Sequence, residues 1–270
     1  MSDLLTRAAD FIRLPNSPNA KPDVLPGGEG LRCTVTGKRY PLRGGILHLL
    51  DAPPNLTKAQ QSLDSPIMAW FYDRFRGFLT KRVGVPPFRE EVEMTQAALG
   101  IAPGDAVLDL ACGHGNFTVE WSKLAGPNGL VIGLDISETM LRRAVTRVNK
   151  AGLKNVLLVR GDALNLPFRR GSLMKLNCSG GFHQMPDLPR AIAELARVAG
   201  PGASLTTATF ARISNDPQEA RKRKIEARYN NTLRFIPLDE LQRLLETAGF
   251  TDCTHHIPGG WFGYVSAQRT

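Results

Sequence analysis

Three carboxylates fall at or just after the ends of hydrophobic runs in this chain: Asp109, Asp135 and Asp162. The first lies in Val107-Leu-Asp-Leu-Ala-Cys-Gly-His-Gly115, which breaks into a glycine-bearing turn before helical sequence starts at Asn116. Gly113 and Gly115 carry no Cβ, so they accept φ > 0 and let a ligand lie against the backbone. Amides at the start of the following helix face the same spot. The spacing is not the G-x-G-x-x-G of dinucleotide sites. Asp135 closes Leu130-Val-Ile-Gly-Leu-Asp135, 20 residues beyond Gly115. A carboxylate there accepts hydrogen bonds from both hydroxyls of a ribose. His183 follows a later hydrophobic run. Its imidazole is expected to titrate near neutral pH, so it serves either as a proton acceptor or to order its loop.

These residues need a frame that brings strand ends together. From Asp105 the pattern alternates, with strands expected near 106–110, 130–135, 155–160, 172–178 and 203–209 and helices near 116–125, 137–151 and 188–199. Ser137 is a natural N-cap. A helix over 237–248 and two strands, near 250–256 and 260–267, follow. A hairpin through Pro258-Gly-Gly260 would set one antiparallel strand into an otherwise parallel sheet. Ligands of such sheets bind beyond the carboxyl ends of the strands, at the switch point. Upstream, residues 57–100 read as mainly helical and residues 1–30 as loosely ordered after a short amphipathic start. Leu31 to Leu50 read as a small β unit, closed by an Asp-Ala-Pro-Pro-Asn linker.

Composition sets outer limits. The chain has 270 residues, enough for one large core or one core with a small appendage. No apolar run reaches membrane-spanning length. The start lacks the apolar region of a secretory signal, and four scattered cysteines read as reduced thiols, so a cytoplasmic location is expected. The net charge of +9 permits an anionic partner without requiring one. The run Arg221-Lys-Arg-Lys224 reads as a solvated helix face in a mobile segment more than as a nucleic-acid patch, since aromatic residues are not interleaved with it.

Val107-Leu-Asp-Leu-Ala-Cys-Gly-His-Gly-Asn-Phe-Thr118 resembles the S-adenosylmethionine-binding turn of class I methyltransferases. Gly133-Leu-Asp-Ile-Ser-Glu-Thr-Met-Leu141 resembles their ribose acid and the helix after it. Gly161-Asp-Ala-Leu-Asn-Leu-Pro-Phe168 is similar to their adenine-contacting segment. Gly181-Phe-His-Gln-Met-Pro-Asp187, with the helix and Pro-Gly turn beyond it, is similar to their motif after the fourth strand. Together these segments cover residues 105–210. The subtype resembles the ubiquinone/menaquinone-biosynthesis-like group (methyltransferase type 11), and the wider match is closest to uncharacterised plastid and bacterial members.

The resemblance implies a Rossmann-like α/β fold: a seven-stranded, mostly parallel sheet with one antiparallel strand, preceded by a small β-rich segment. Residues 1–55 would form that segment and 56–270 the methyltransferase domain, with 210–236 as an insertion covering the acceptor pocket. It implies S-adenosyl-L-methionine as cofactor and S-adenosyl-L-homocysteine as product. Asp109 and the backbone at Ala111 and Gly113, in the turn that Gly115 closes, would hold the methionine end. Asp135 would bind the ribose, Ile136 and Met140 would pack on adenine, and Asp162 with Ala163 would meet its amino group. Ala111 stands where the family has glycine, which is tolerable with φ negative. Met174 replaces an acid usual in the fourth-strand motif.

His183 is the candidate base. Trp70, Tyr72, Phe182 and Tyr264 are candidates for the acceptor pocket, with Trp70, Tyr72 and Tyr264 equally suited to core packing. Residues 31–50 resemble a zinc-ribbon-like unit in which Thr36 replaces the second cysteine after Cys33, so no metal is expected. Cys178 reads as a buried structural thiol, since Asn177 stands where cytosine-C5 RNA methyltransferases carry proline. The expected acceptor is a quinone-, phenol- or polyketide-like small molecule methylated on oxygen or carbon. The alternatives are an RNA methyltransferase and a cofactor-binding protein that transfers no methyl group.

Overall fold

The computed structural model describes residues 2–15, 17, 19–50, 54, 56–64, 85–213 and 215–270. Helix α1 (Ser2–Ala9) is followed by four short strands, β1 (Pro22–Val24), β2 (Gly30–Cys33), β3 (Arg39–Arg43) and β4 (Ile46–His48). Helices α2 (Lys58–Asp64) and α3 (Phe88–Leu99) come next. An alternating series then runs β5 (Ala106–Leu110), α4 (Asn116–Ala125), β6 (Leu130–Asp135), α5 (Glu138–Lys150), β7 (Val156–Arg160), β8 (Leu173–Ser179), α6 (Leu188–Val198) and β9 (Ala199–Arg212). Helix α7 (Glu219–Arg228), the two-residue β10 (Ile236–Pro237), α8 (Leu238–Thr247), β11 (Phe250–His256) and β12 (Phe262–Arg269) complete it.

The central strands lie in the order β7-β6-β5-β8-β9-β12-β11. Those from β7 to β9 are mutually parallel, and β12 runs antiparallel to both β9 and β11. This is the expected seven-stranded sheet with one antiparallel strand. The run of buried side chains in β5, β6 and β7 follows from cover on both faces. Alternation splits them: Leu108, Ile132 and Leu157 join a core with α1, α6 and α8. Val107, Val131 and Leu158 join a second core with α3, α4 and α5.

The expected helix starts hold. Ser137 Oγ accepts from the Met140 amide at 3.0 Å, and Asp187 Oδ1 from the Arg190 amide at 2.9 Å. Among the described residues, no helix is long and apolar enough to cross a membrane.

The N-terminal strands extend this sheet. β4 pairs parallel with β7, aligning Ile46 with Leu158, and β3, β2 and β1 continue outward antiparallel. The expectation of loose order over residues 1–30 is corrected for the described part. Leu5, Ile12 and Leu14 are fully buried in the first core, and Arg7 donates to the carbonyls of Asn128 and Gly129. Burying three such side chains contributes several kcal/mol at ~1.5–3 kcal/mol each, which ties down a Pro- and Asn-rich segment. At the ribbon-like turn, the Thr36 amide donates to Cys33 Sγ at 3.4 Å. The candidates Trp70 and Tyr72 lie outside the described residues.

Candidate active site

β5 ends in a turn that three left-handed residues shape: Ala111 (φ 53°), Gly113 (φ 56°) and Gly115 (φ 78°). The expectation of negative φ at Ala111 is therefore corrected. The turn imposes there a backbone that costs an L-residue about 1–2 kcal/mol. Neighbouring space explains how alanine is accommodated. A Cβ on Gly181 would come within 2.7 Å of Ala111 Cβ and 2.9 Å of Cys178 Sγ, so the alanine methyl occupies room that Gly181 leaves. Gly181→Ala is accordingly expected to lower stability by about 1–3 kcal/mol. Ala111→Gly in the same chain should recover part of that loss, with a coupling of about 1 kcal/mol in denaturant midpoints. Strict additivity of the two changes would refute the shared-space account.

Asp135 fixes the turn from the next strand. Its Oδ2 accepts from the Gly113 amide and its Oδ1 from the Ser137 amide, both at 2.8 Å. Asp109 is buried beneath the turn, accepting from Thr118 Oγ1 at 2.5 Å and Asn177 Nδ2 at 2.7 Å. Asn177 Oδ1 in turn accepts from Ser179 Oγ and Thr206 Oγ1, joining β5, β8 and β9 beneath the turn. Burial pushes the Asp109 carboxyl up to about 6, against the pull of the Thr118 and Asn177 hydrogen bonds. Asp162 uses Oδ1 to accept from the Leu164 amide at 2.9 Å.

Beyond these strand ends opens a cavity of about 740 Å³. Its wall brings together Asp109, Ala111, Gly113, Asp135, Asp162 and His183. Ile136, Met140 and Ala163 line it as well. Gly115 sits behind them at the start of α4, where a Cβ would come within 3.0 Å of Ala144 Cβ.

His183 belongs to a short 3-10 turn, Phe182–Gln184, after β8. Its ring lies 4.3 Å from the Phe210 centroid and 6.2 Å from that of Phe262. Gln184 Nε2 donates to its Nε2 at 3.2 Å, which leaves the Nδ1 proton for Thr209 Oγ1 at 3.5 Å. Burial pushes the imidazole down to about 3. The expectation that it titrates near neutral pH is corrected: it stands neutral among aromatic rings.

Two pocket candidates fall elsewhere. Phe182 is 1 % exposed and packs in the first core, not on the cavity wall. Tyr264 is buried behind the wall, its Oη donating to Glu91 Oε1 at 2.7 Å. Glu91 itself lines the cavity, as do Phe210, Trp261 and Phe262. Sequence reasoning passed over Glu91 and Phe210. Phe210 carried a usable signal, since it lies just after the fifth strand of the expected series, whereas Glu91 looked like any first-turn acid of a helix. Cys178 is buried, with its thiol pushed up by burial, and His255 and His256 are exposed.

The run 221–224 departs from a fully solvated face. Arg223 and Lys224 are exposed, but Lys222 is 0 % exposed. Its ammonium donates to the carbonyls of Ala211 and Gly260 at 2.7 Å and to Asp216 Oδ2.

Residues 88–223, half of the chain, match the ubiE/COQ5 methyltransferase family. The chain belongs to that family. A chloroplastic uncharacterised methyltransferase of Arabidopsis thaliana is 29% identical to this family member over 250 residues, 88% of this chain and 70% of its own. A demethylmenaquinone methyltransferase of Staphylococcus aureus is 33% identical over 171 residues, covering 56% of this chain and 70% of that one. The crystal structure of a SAM-dependent methyltransferase from Aquifex aeolicus aligns with a TM-score of 0.55 and 26% identity, over 70% of this chain and 96% of that one.

This ubiE/COQ5-family protein is an S-adenosylmethionine-dependent methyltransferase. The residues present suit that cofactor. A Cβ on Gly113 would meet nothing within 4 Å, so the turn opens on free space at the cavity. The cavity volume lies high in the range of ~300–1,000 Å³ for small-molecule sites, with room for donor and acceptor side by side.

Proposed function

We propose that this methyltransferase acts on carbon or oxygen of a small aromatic acceptor of the quinone or phenol class. The observation that carries the reading is the chemistry of the cavity wall near β9 and β12. Phe210, Trp261 and Phe262 stand there with a neutral imidazole, a surface suited to a flat, uncharged ring. The demethylmenaquinone methyltransferase relationship points the same way.

In this reading Asp135 accepts from the cofactor's ribose hydroxyls while holding the turn. Ile136 and Met140 flank the adenine, and Asp162 and Ala163 meet its amino edge. The backbone at Ala111 and Gly113, braced by Asp109 and Gly115, receives the methionine end. Bound there, the sulfonium supplies an electrophilic methyl group. The protein's part is to align the acceptor for in-line attack and to keep water out. His183 serves as a neutral wall and orders its loop, because so weak a base takes a proton poorly near pH 7. The 210–236 insertion covers the acceptor, contributing Tyr229 and Leu233 to the cavity wall.

The test uses methyl-labelled S-adenosylmethionine, purified protein and cell extract with or without ribonuclease. Label in organic-soluble metabolites, and on added 1,4-naphthohydroquinone, is the expected result. Label confined to ribonuclease-sensitive polymer would replace this reading with RNA methylation. Cofactor binding without label in any fraction would favour a non-methylating role.

A further inference from the structure

We propose that Glu91 binds the acceptor's hydroxyl group and takes its proton, with Tyr264 as the residue that positions it. The inference rests on the reading above, with the acceptor as a hydroxyarene (a phenol, or a quinone in its reduced form), and names the group that would handle the acceptor's proton. Glu91 is 2 % exposed yet lines the cavity. Placing a carboxylate in such a site is costly unless hydrogen bonds hold it. Tyr264 supplies one, with Oη 2.7 Å from Oε1. A carboxylate has about four acceptor positions, so Glu91 can accept from a ligand hydroxyl alongside its protein partners.

The location favours the acceptor over the cofactor. Tyr264 lies opposite Ala208 of β9 and two residues from Phe262 on β12, so it shares that strand face with an aromatic ring of the cavity wall. β12 is four strands from β6, which carries Asp135. At ~4.8 Å per strand that is roughly 19 Å. Helix α3, which carries Glu91, packs against β8 and β9. His183, the candidate from sequence, already engages its acceptor nitrogen, which takes a hydrogen bond from Gln184 Nε2 at 3.2 Å.

The balance is simple. The acceptor's ring carbon or oxygen forms a bond to the methyl carbon. The carbon–sulfur bond breaks, and its electron pair stays on sulfur. The hydroxyl proton passes to the Glu91 carboxylate and from there to solvent after product leaves; where carbon is methylated, the hydrogen on that carbon is then lost as a proton and the oxygen takes one back, which restores the aromatic ring.

The test compares wild type, Glu91→Gln, Glu91→Asp and Tyr264→Phe on 1,4-naphthohydroquinones of rising hydroxyl acidity (2-methyl, unsubstituted, 2-chloro). Glu91→Gln is expected to lower kcat on the least acidic acceptor by about 10²–10³-fold. Its S-adenosylmethionine Kd should stay within about twofold of wild type, and the loss should shrink as the acceptor grows more acidic. Glu91→Asp should restore part of kcat. Tyr264→Phe should lower kcat about tenfold with the same dependence on acceptor acidity, and it carries the test if Glu91→Gln does not fold. Wild-type kcat in Glu91→Gln, or an equal loss across the series, would overturn the proposal. A weakened cofactor Kd with unchanged acceptor KM would also overturn it, moving Glu91 to the donor. If wild type methylates none of the series nor any phenol, the hydroxyarene reading itself fails and takes this inference with it.

Discussion

Asp135→Ala is expected to weaken S-adenosylmethionine binding by about 100-fold, measured by calorimetry. The size follows from the number of bonds involved. A hydrogen bond to a charged group contributes ~1.5–3 kcal/mol, so losing two ribose bonds costs about 3 kcal/mol or more, which is about 100-fold in Kd. The same substitution releases the amides of Gly113 and Ser137, so the turn that receives the methionine end loses its brace as well. Asp135→Asn separates these contributions. It keeps one acceptor oxygen, loses the charge, and should weaken binding about tenfold. A dissociation constant near wild type in the alanine variant would sink the ribose assignment, provided its thermal midpoint shows a folded protein.

The position of Asp135, at the end of β6 and on the cavity wall, was legible because its signals are local. A hydrophobic run, a glycine turn and an acid at fixed spacing lie on adjacent strands once the alternating pattern folds. The strand limits of β5, β6 and β11 and those of α4 agree with the sequence reading for the same reason. What stayed hidden depends on partners distant in the chain. Glu91 and Tyr264 are 173 positions apart and meet only after β12 inserts beside β9. The left-handed backbone at Ala111 reflects the turn's closure and the room that Gly181 leaves, neither of which residue type reveals. The place of His183 just after a strand end was legible, but its burial among rings, which sets its protonation state, comes from β9 and β12. The joining of β4 to β7 was equally hidden, since a three-residue strand carries no sign of which edge it will extend.

Lys222 is the sharpest case, and it leads to the second large expected effect. In sequence it sits within four consecutive cations, a run that ordinarily faces water. In the structure its three protons go to Ala211 O, Gly260 O and Asp216, and its ammonium lies 5.2 Å from the Phe235 ring and 5.7 Å from that of Trp261. It thereby pins α7 to β9 and to the turn before β12. Arg212 reinforces the clamp through Glu219 at 3.0 Å and Glu226 at 2.8 Å, and Trp261 donates to Gln218 at 3.0 Å. Lys222→Met keeps most of the stem but leaves Asp216 and two carbonyls without their donor. Breaking a buried pair in this way costs about 3–5 kcal/mol. The loss should be local: faster amide exchange and proteolysis across 212–236, a raised acceptor KM, and an unchanged S-adenosylmethionine Kd. Asp216→Asn in the same chain should recover part of it by removing the stranded charge. Acid should act like the substitution. Burial alone would raise the Asp216 carboxyl, but the Lys222 ammonium and the Gln218 amide hold it below the usual carboxylate range. A group depressed in the folded state contributes stability above its unfolded value near 4 and loses it as pH falls through the folded one, so the insertion should loosen below about pH 4. Unchanged exchange over 219–228 in Lys222→Met would show that the aromatic packing of Phe210, Phe235 and Trp261 holds the insertion without the ammonium.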